Sequence, residues 1–252
     1  MTNALRDGWD ERIGTPSMKR VPAPADPTAR VETGRDDAPL RTRDHAAIVY
    51  WQSGELLDAV VPYLIEGLRA GDKVVYVADE TSPSTLSGAL KAAGVDVDAE
   101  IARGRLTLVT AREAFFAEGR FDVEAALAGV RSLAAAAASE GYARVRFSVE
   151  MTYLLADVPG IERGPEFESR ANEEVFAQFP FVCICSFNGT RDANGLLEDV
   201  LATHPILISD GIPLANPHYR PWSELAKRGR DGRERPGAHE TPNTLPSPTD
   251  GA

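Results

Sequence analysis

Between residues 44 and 223, six short apolar runs alternate with segments of helical period, and within each run the apolar residues are close to continuous. The runs lie at 46–51, 73–78, 105–109, 144–150, 181–187 and 205–209. A strand with water on one face would carry a polar residue at every second position. Runs dominated by Val, Ile and Phe do not, so both faces of each strand must be covered. The fold class that meets this requirement is α/β: a mostly parallel central sheet between helix layers, a three-layer sandwich. Helices are expected at 54–70, 82–93, 111–118, 122–140, 163–178 and 193–202. Local signals support them: Gly71, Gly94 and Gly141 stand where helices should end, and Ser82-Pro83 opens the second helix.

The ends differ from the middle. Residues 1–43 are rich in Pro, Asp, Arg and Thr, and the stretch from 224 to 252 has no periodic apolar pattern. Neither buries enough apolar surface to offset its ordering entropy, so both are expected to be disordered tails around one domain at 44–223. That domain carries 14 basic and 26 acidic side chains, within a chain of net charge −11. Such an acidic domain repels phosphate backbones and anionic lipid, which argues against direct nucleic-acid or membrane partners. No apolar stretch is long enough to span a bilayer and no apolar signal core stands at the start, so a cytoplasmic setting is expected. Cys183 and Cys185 are the only cysteines. They are expected on opposite faces of one strand, unbridged, as free thiols.

In sheets of this kind ligands bind outside the carboxyl ends of the strands. That rule selects Tyr50, Trp51, Glu150, Tyr153 and Phe187 as a candidate ligand cleft, with aromatic walls and one carboxylate for a small, mostly apolar molecule. The first turn, Trp51-Gln52-Ser53-Gly54-Glu55, has one glycine, no lysine and an acid. A phosphate loop needs several glycines, a Lys and a Ser/Thr for magnesium, so nucleotide hydrolysis is not expected here. Ser53 is read instead as a helix cap. His45, His204 and Cys185 have the side chains for zinc, but nothing in their spacing is close, so no metal and no cofactor is expected. Glu168 and Asn172 lie i,i+4 along the border of an apolar stripe formed by Phe167, Ala171 and Val175. His218, Tyr219 and Trp222, in "NPHYRPW", offer apolar area and are expected to pack onto the domain. No catalytic constellation emerges.

Several segments in order, "DHAAIVYWQSGELLDAVVPYLIEGLRAGDKVVYVADE", "AGVDVDAEIARGRLTLVTAREAFFAEGRFD", "RFSVEMTYLL", "FESRAN" and "LLEDVLATHPILI", together resemble the MEDS domain, the methanogen/methylotroph, DcmR-like sensory domain. The flavour of the first segment is also similar to RecA-like domains of KaiC-type proteins with the phosphate loop replaced. The resemblance implies a RecA-like sandwich and a non-catalytic sensory or regulatory role: binding a small organic molecule, such as a simple hydrocarbon derivative, and signalling through a partner protein. The partner would be a kinase, an anti-sigma factor or a transcription regulator. Positions carried over from the family's motifs are His45, Tyr50, Glu150, Glu168, Asn172, Cys185 and His204. The chain departs from the family at Cys185-Ser186-Phe187-Asn188, where Cys-Gln-Tyr-Asp is common. Two alternatives stay open: a residual nucleotide-binding enzyme or hydrolase using Glu150, and a ligand-free scaffold for a kinase or anti-sigma partner.

Overall fold

The structure is a computed structural model that describes residues 39–116, 119–191 and 195–230. In chain order the elements are β1 (His45–Tyr50), α1 (Ser53–Ala70), β2 (Lys73–Ala78), α2 (Pro83–Ala92), α3 (Val97–Ala102), β3 (Leu106–Thr110), α4 (Ala111–Phe115), α5 (Val123–Ser139), β4 (Val145–Glu150), α6 (Gly164–Ala171), β5 (Phe181–Asn188), α7 (Leu196–Thr203), β6 (Ile206–Ser209), β7 (Ile212–Ala215) and α8 (Trp222–Arg230). A π-helical turn, Asn172–Phe176, continues α6. The strands form one sheet in the order β3-β2-β4-β5-β1-β6-β7. Every pairing is parallel except that of β6 with β7.

The continuous apolar runs place side chains on both faces. On one face Tyr50, Val74, Tyr76, Val182 and Ile184 pack against Leu56, Val60 and Leu64 of α1 and Leu86 and Leu90 of α2. On the other, Val75, Val77, Phe147, Phe181 and Cys183 pack with Leu127 and Val130 of α5, Phe167 and Ala171 of α6, and Val200 of α7. The expected α/β sandwich is therefore observed. Alternation also corrects the cysteines. Residues two apart on a strand share a face. Cys183 and Cys185 both point to the α5–α7 layer, with their sulfurs 3.9 Å apart and both thiols free.

Other departures have local causes. α3 and β7 were not expected. α3 is six residues long, opened by Asp96 accepting from the Ala99 amide at 3.1 Å. β7, "IPLA", is a short edge strand containing a proline, tolerable because an edge strand need not donate on its outer side. Ser53 is the first residue of α1 rather than its cap; the Glu55 carboxylate closes that turn by accepting from the Trp51 amide at 2.8 Å. The domain boundary expected at 223 falls inside α8, whose Trp222 amide donates to Glu173 at 3.1 Å. The rest of both expected tails, 1–38 and 231–252, lies outside the described residues. The "NPHYRPW" segment packs down through Asn216, which is buried and donates to the Leu201 and His204 carbonyls at 2.7 and 2.6 Å.

Gly71 ends α1 at φ 78°, and the next amide, that of Asp72, donates back to the Gly67 carbonyl at 2.9 Å. A Cβ there would meet nothing, so only the left-handed backbone opposes a side chain. Gly71→Ala is expected to lower stability by about 1 kcal/mol in urea unfolding. No measurable loss would mean that the turn relaxes to another conformation.

Candidate functional site

Four of the polar side chains singled out in the sequence are buried together beneath the sheet. His45 opens β1, Cys185 lies mid-way along β5, Glu168 faces inward from α6, and His204 follows α7. Each is at most 4 % exposed. The register sets the strand members: β1 pairs β5 with Ala47 beside Cys185, and His45 shares the Ala47 face.

Distances within the group are short. His45 Nε2 lies 3.2 Å from Cys185 Sγ and 3.5 Å from Glu168 Oε2. His204 Nε2 is 3.4 Å and Cys185 Sγ 3.8 Å from the same carboxylate oxygen. The two imidazole rings are 4.3 Å apart, and Phe176 and Phe187 pack against His45 and His204 at 4.4 and 5.3 Å.

Neighbouring groups fix both imidazole tautomers. Asn172 donates its amide hydrogens to the Glu168 and Thr203 carbonyls at 3.1 and 2.8 Å, so its Oδ1 faces His45 and accepts from Nδ1–H at 2.9 Å. The Val200 carbonyl can only accept, so His204 Nδ1 donates to it, at 3.1 Å. Each ring therefore turns an Nε2 lone pair into the cluster. The π-turn starts at Asn172, where it continues the buried, inward-facing run of α6.

Burial dominates the electrostatics. It pushes the Glu168 carboxyl up to about 7 against the opposing pull of His45, and lowers His204 to about 4. Burial, Cys183 and Glu168 together hold the Cys185 thiol well above its ordinary range. Among the described residues His204 Nε2 has no hydrogen-bond partner.

His45, Glu168 and Cys185 of this cluster form one wall of a narrow internal cavity of about 10 Å³. The remaining walls are apolar and aromatic, including Phe115, Phe147, Tyr153, Phe167 and Phe176. Tyr153 stacks on Phe115 at 4.9 Å, and its buried hydroxyl has no hydrogen-bond partner among the described residues.

The five residues expected to form one cleft are divided between two places. Tyr153 lines the inner cavity and Phe187 packs on the edge of His204. Tyr50 and Glu150 stay at the carboxyl ends of the strands, but both are buried. Glu150 accepts from the Tyr76 hydroxyl and from the Thr81 and Asp79 amides, the last two at 2.9 and 3.2 Å. Burial still raises its carboxyl above the ordinary value, against those hydrogen bonds. Trp51 is half-buried and lies over Gly189, where a Cβ would meet its ring. The spacing argument against His45, His204 and Cys185 converging does not hold, because each comes from a different element and Glu168 joins them from a fourth. Sequence reasoning missed Tyr76, the partner of Glu150. It also missed Thr203, whose carbonyl orients Asn172.

Comparison with known proteins gives three findings. No curated protein matches the sequence. The crystal structure of a KaiC-like protein from the hyperthermophilic archaeon Pyrococcus horikoshii OT3 is similar at a TM-score of 0.46 and 12 % identity, over 66 % of this chain and 70 % of that one. Residues 44–205, which include every member of the buried cluster, match the family model described as MEDS, the MEthanogen/methylotroph, DcmR Sensory domain, and the chain belongs to that family.

Proposed function

We propose that this domain senses a small, mostly apolar organic molecule in the cavity beneath the sheet and passes the event to a partner protein. The observation that carries this reading is an aromatic cavity with a single polar wall, inside a sensory-family domain. Apolar walls with few polar groups are what a small hydrocarbon derivative requires. A cavity of about 10 Å³ is at the lower limit for one water. An organic ligand therefore enters only by displacing a wall, and the displaced wall, α6 with its π-turn, is the signal. A larger depression of about 290 Å³ lies on the other layer between α1 and α3, but it is open and borders Arg69, Glu100 and Arg105. Among the described residues no helix is long and apolar enough to cross a membrane. The Glu150 hydrolase reading gains no support, since that carboxylate is engaged by three donors.

The test is a thermal-shift screen of small alcohols, amines and halogenated or methylated compounds. A ligand at a hundredfold excess over its Kd is expected to stabilise the fold by about 2.7 kcal/mol. Phe167→Leu, which reshapes the cavity wall, should weaken the response. Glu66→Ala, at a largely exposed side chain, should leave it unchanged. Failure of every compound, together with co-purification of a kinase or anti-sigma protein, would favour the scaffold reading instead.

A further inference from the structure

We propose that His45, Glu168, Cys185 and His204 are the four ligands of a buried divalent transition-metal ion of the zinc class. One ligand atom from each lies within 4.8 Å of those of the other three. Bonds of about 2.0–2.3 Å from a tetrahedral zinc put its nitrogen, oxygen and sulfur ligands about 3.3–3.8 Å apart. Four of the six separations, 3.2, 3.4, 3.5 and 3.8 Å, follow that pattern, and the other two lie within 4.8 Å.

Hydrogen bonding alone does not account for the cluster. Both imidazoles spend their N–H outward, on Asn172 Oδ1 and on the Val200 carbonyl. What remains inside is two nitrogen lone pairs, a carboxylate and a sulfur, with few protons to share among them. His204 Nε2, fully buried and 3.4 Å from Glu168 Oε2, makes no hydrogen bond among the described residues. A buried acceptor without a donor is costly, and a cation at the centre satisfies all four at once. The outward partners are those that metal-bound histidines need: a carbonyl oxygen on the far nitrogen fixes the tautomer and orients the ring. Two imidazoles and a thiolate select zinc, cobalt or iron over magnesium or calcium, which prefer oxygen.

The ligands come from β1, α6, β5 and the end of α7, so the ion would tie the sheet to its helix layer and add its binding free energy to the fold. This inference does not depend on the small-molecule reading: the four side chains already converge before any guest displaces α6. Asn172 acts here as a positioning residue, holding His45 rather than touching the ion.

The experiment uses the full chain purified without a polyhistidine tag. Metal content is measured by elemental analysis, and the metal-stripped protein is then titrated with cobalt(II). One ion per chain is expected, with tetrahedral cobalt absorption and a thiolate-to-cobalt charge-transfer band. Cys185→Ser should abolish that band, while Cys183→Ser should retain it. Asn172→Ala should weaken cobalt binding by about 10–100-fold, and His218→Ala should leave it unchanged. If Cys185→Ser does not fold, Glu168→Gln serves in its place and must lower cobalt affinity at least about 10-fold. Folded wild-type protein that takes up neither zinc nor cobalt overturns the proposal, as does a charge-transfer band that survives Cys185→Ser.

Discussion

Arg146→Ala is expected to destabilise the domain by about 3–5 kcal/mol, the cost of breaking a buried ion pair from one side. Arg146 is 3 % exposed on β4. Its guanidinium donates to Asp72 at 3.1 Å, to Glu66 at 3.0 Å and to the Tyr63 carbonyl at 3.2 Å, and lies 4.7 Å over the Tyr63 ring. Gly67 leaves the room for it: a Cβ there would run into the Arg146 side chain. Removing the guanidinium leaves the Tyr63 carbonyl without that donor and Asp72, itself buried, with Arg144 as its remaining ion partner at 2.9 Å. Glu66→Ala should cost under about 1 kcal/mol, because that carboxylate is largely exposed and solvent screens it. Urea unfolding of both variants checks the contrast. Equal losses would mean that Arg146 acts through its exposed contact and not through Asp72.

The same residue shows where sequence reading stops. "RVRFSVE" announces a strand by its Val and Phe, and the strand is there, Val145–Glu150. Alternation puts Arg146 on the α1 face with Ser148, and nothing local says that an arginine on that face is buried. Its partner Asp72 follows a helix-ending glycine, a position that reads as an exposed turn. Burial of this pair, whose members are 74 residues apart in sequence, is a property of packing β4 against α1. Strands were legible because hydrophobic continuity is a local property; β7 was not, since four residues with a proline carry too little of it.

The candidate site was legible as residues but not as a place. His45, Glu168, Cys185 and His204 stood out as motif positions, and the rule of ligands at strand carboxyl ends pointed away from them. His45 lies at the amino end of β1, and the cluster sits beneath the sheet. Zinc sites with recognisable spacing draw paired ligands from one turn or helix. Here separations such as the 140 residues between His45 and Cys185 are closed only by the tertiary fold. One usable signal was present: an acid and an amide at i,i+4 beside an apolar stripe, Glu168 and Asn172. A helix rarely turns such a border inward without a polar partner to receive it.

Glu150→Ala is expected to cost about 2–4 kcal/mol, and to do so mainly by stranding a buried donor. The buried Tyr76 hydroxyl would lose its acceptor, at about 1–3 kcal/mol, and the Thr81 and Asp79 amides, at a half-buried and an exposed residue, would lose theirs at a smaller cost because water can take its place. In this account Glu150 fastens the turn after β2 to the end of β4, a structural task that its place at the sheet's mouth does not reveal. A double-mutant cycle separates the possibilities. Tyr76→Phe removes one of the stranded donors, so Glu150→Ala should be milder in the Tyr76→Phe background by about 1 kcal/mol or more. The pH dependence has a definite sign. Burial raises the folded carboxyl above its ordinary 4.5. The folded state therefore holds the proton more tightly, and this group's contribution is greatest below the unfolded value and is lost as pH rises through the folded one. Glu150→Gln should remove that dependence. If Glu150→Ala instead leaves stability unchanged and abolishes the thermal shift produced by a small molecule, the carboxylate belongs to a ligand and the fastening role is wrong.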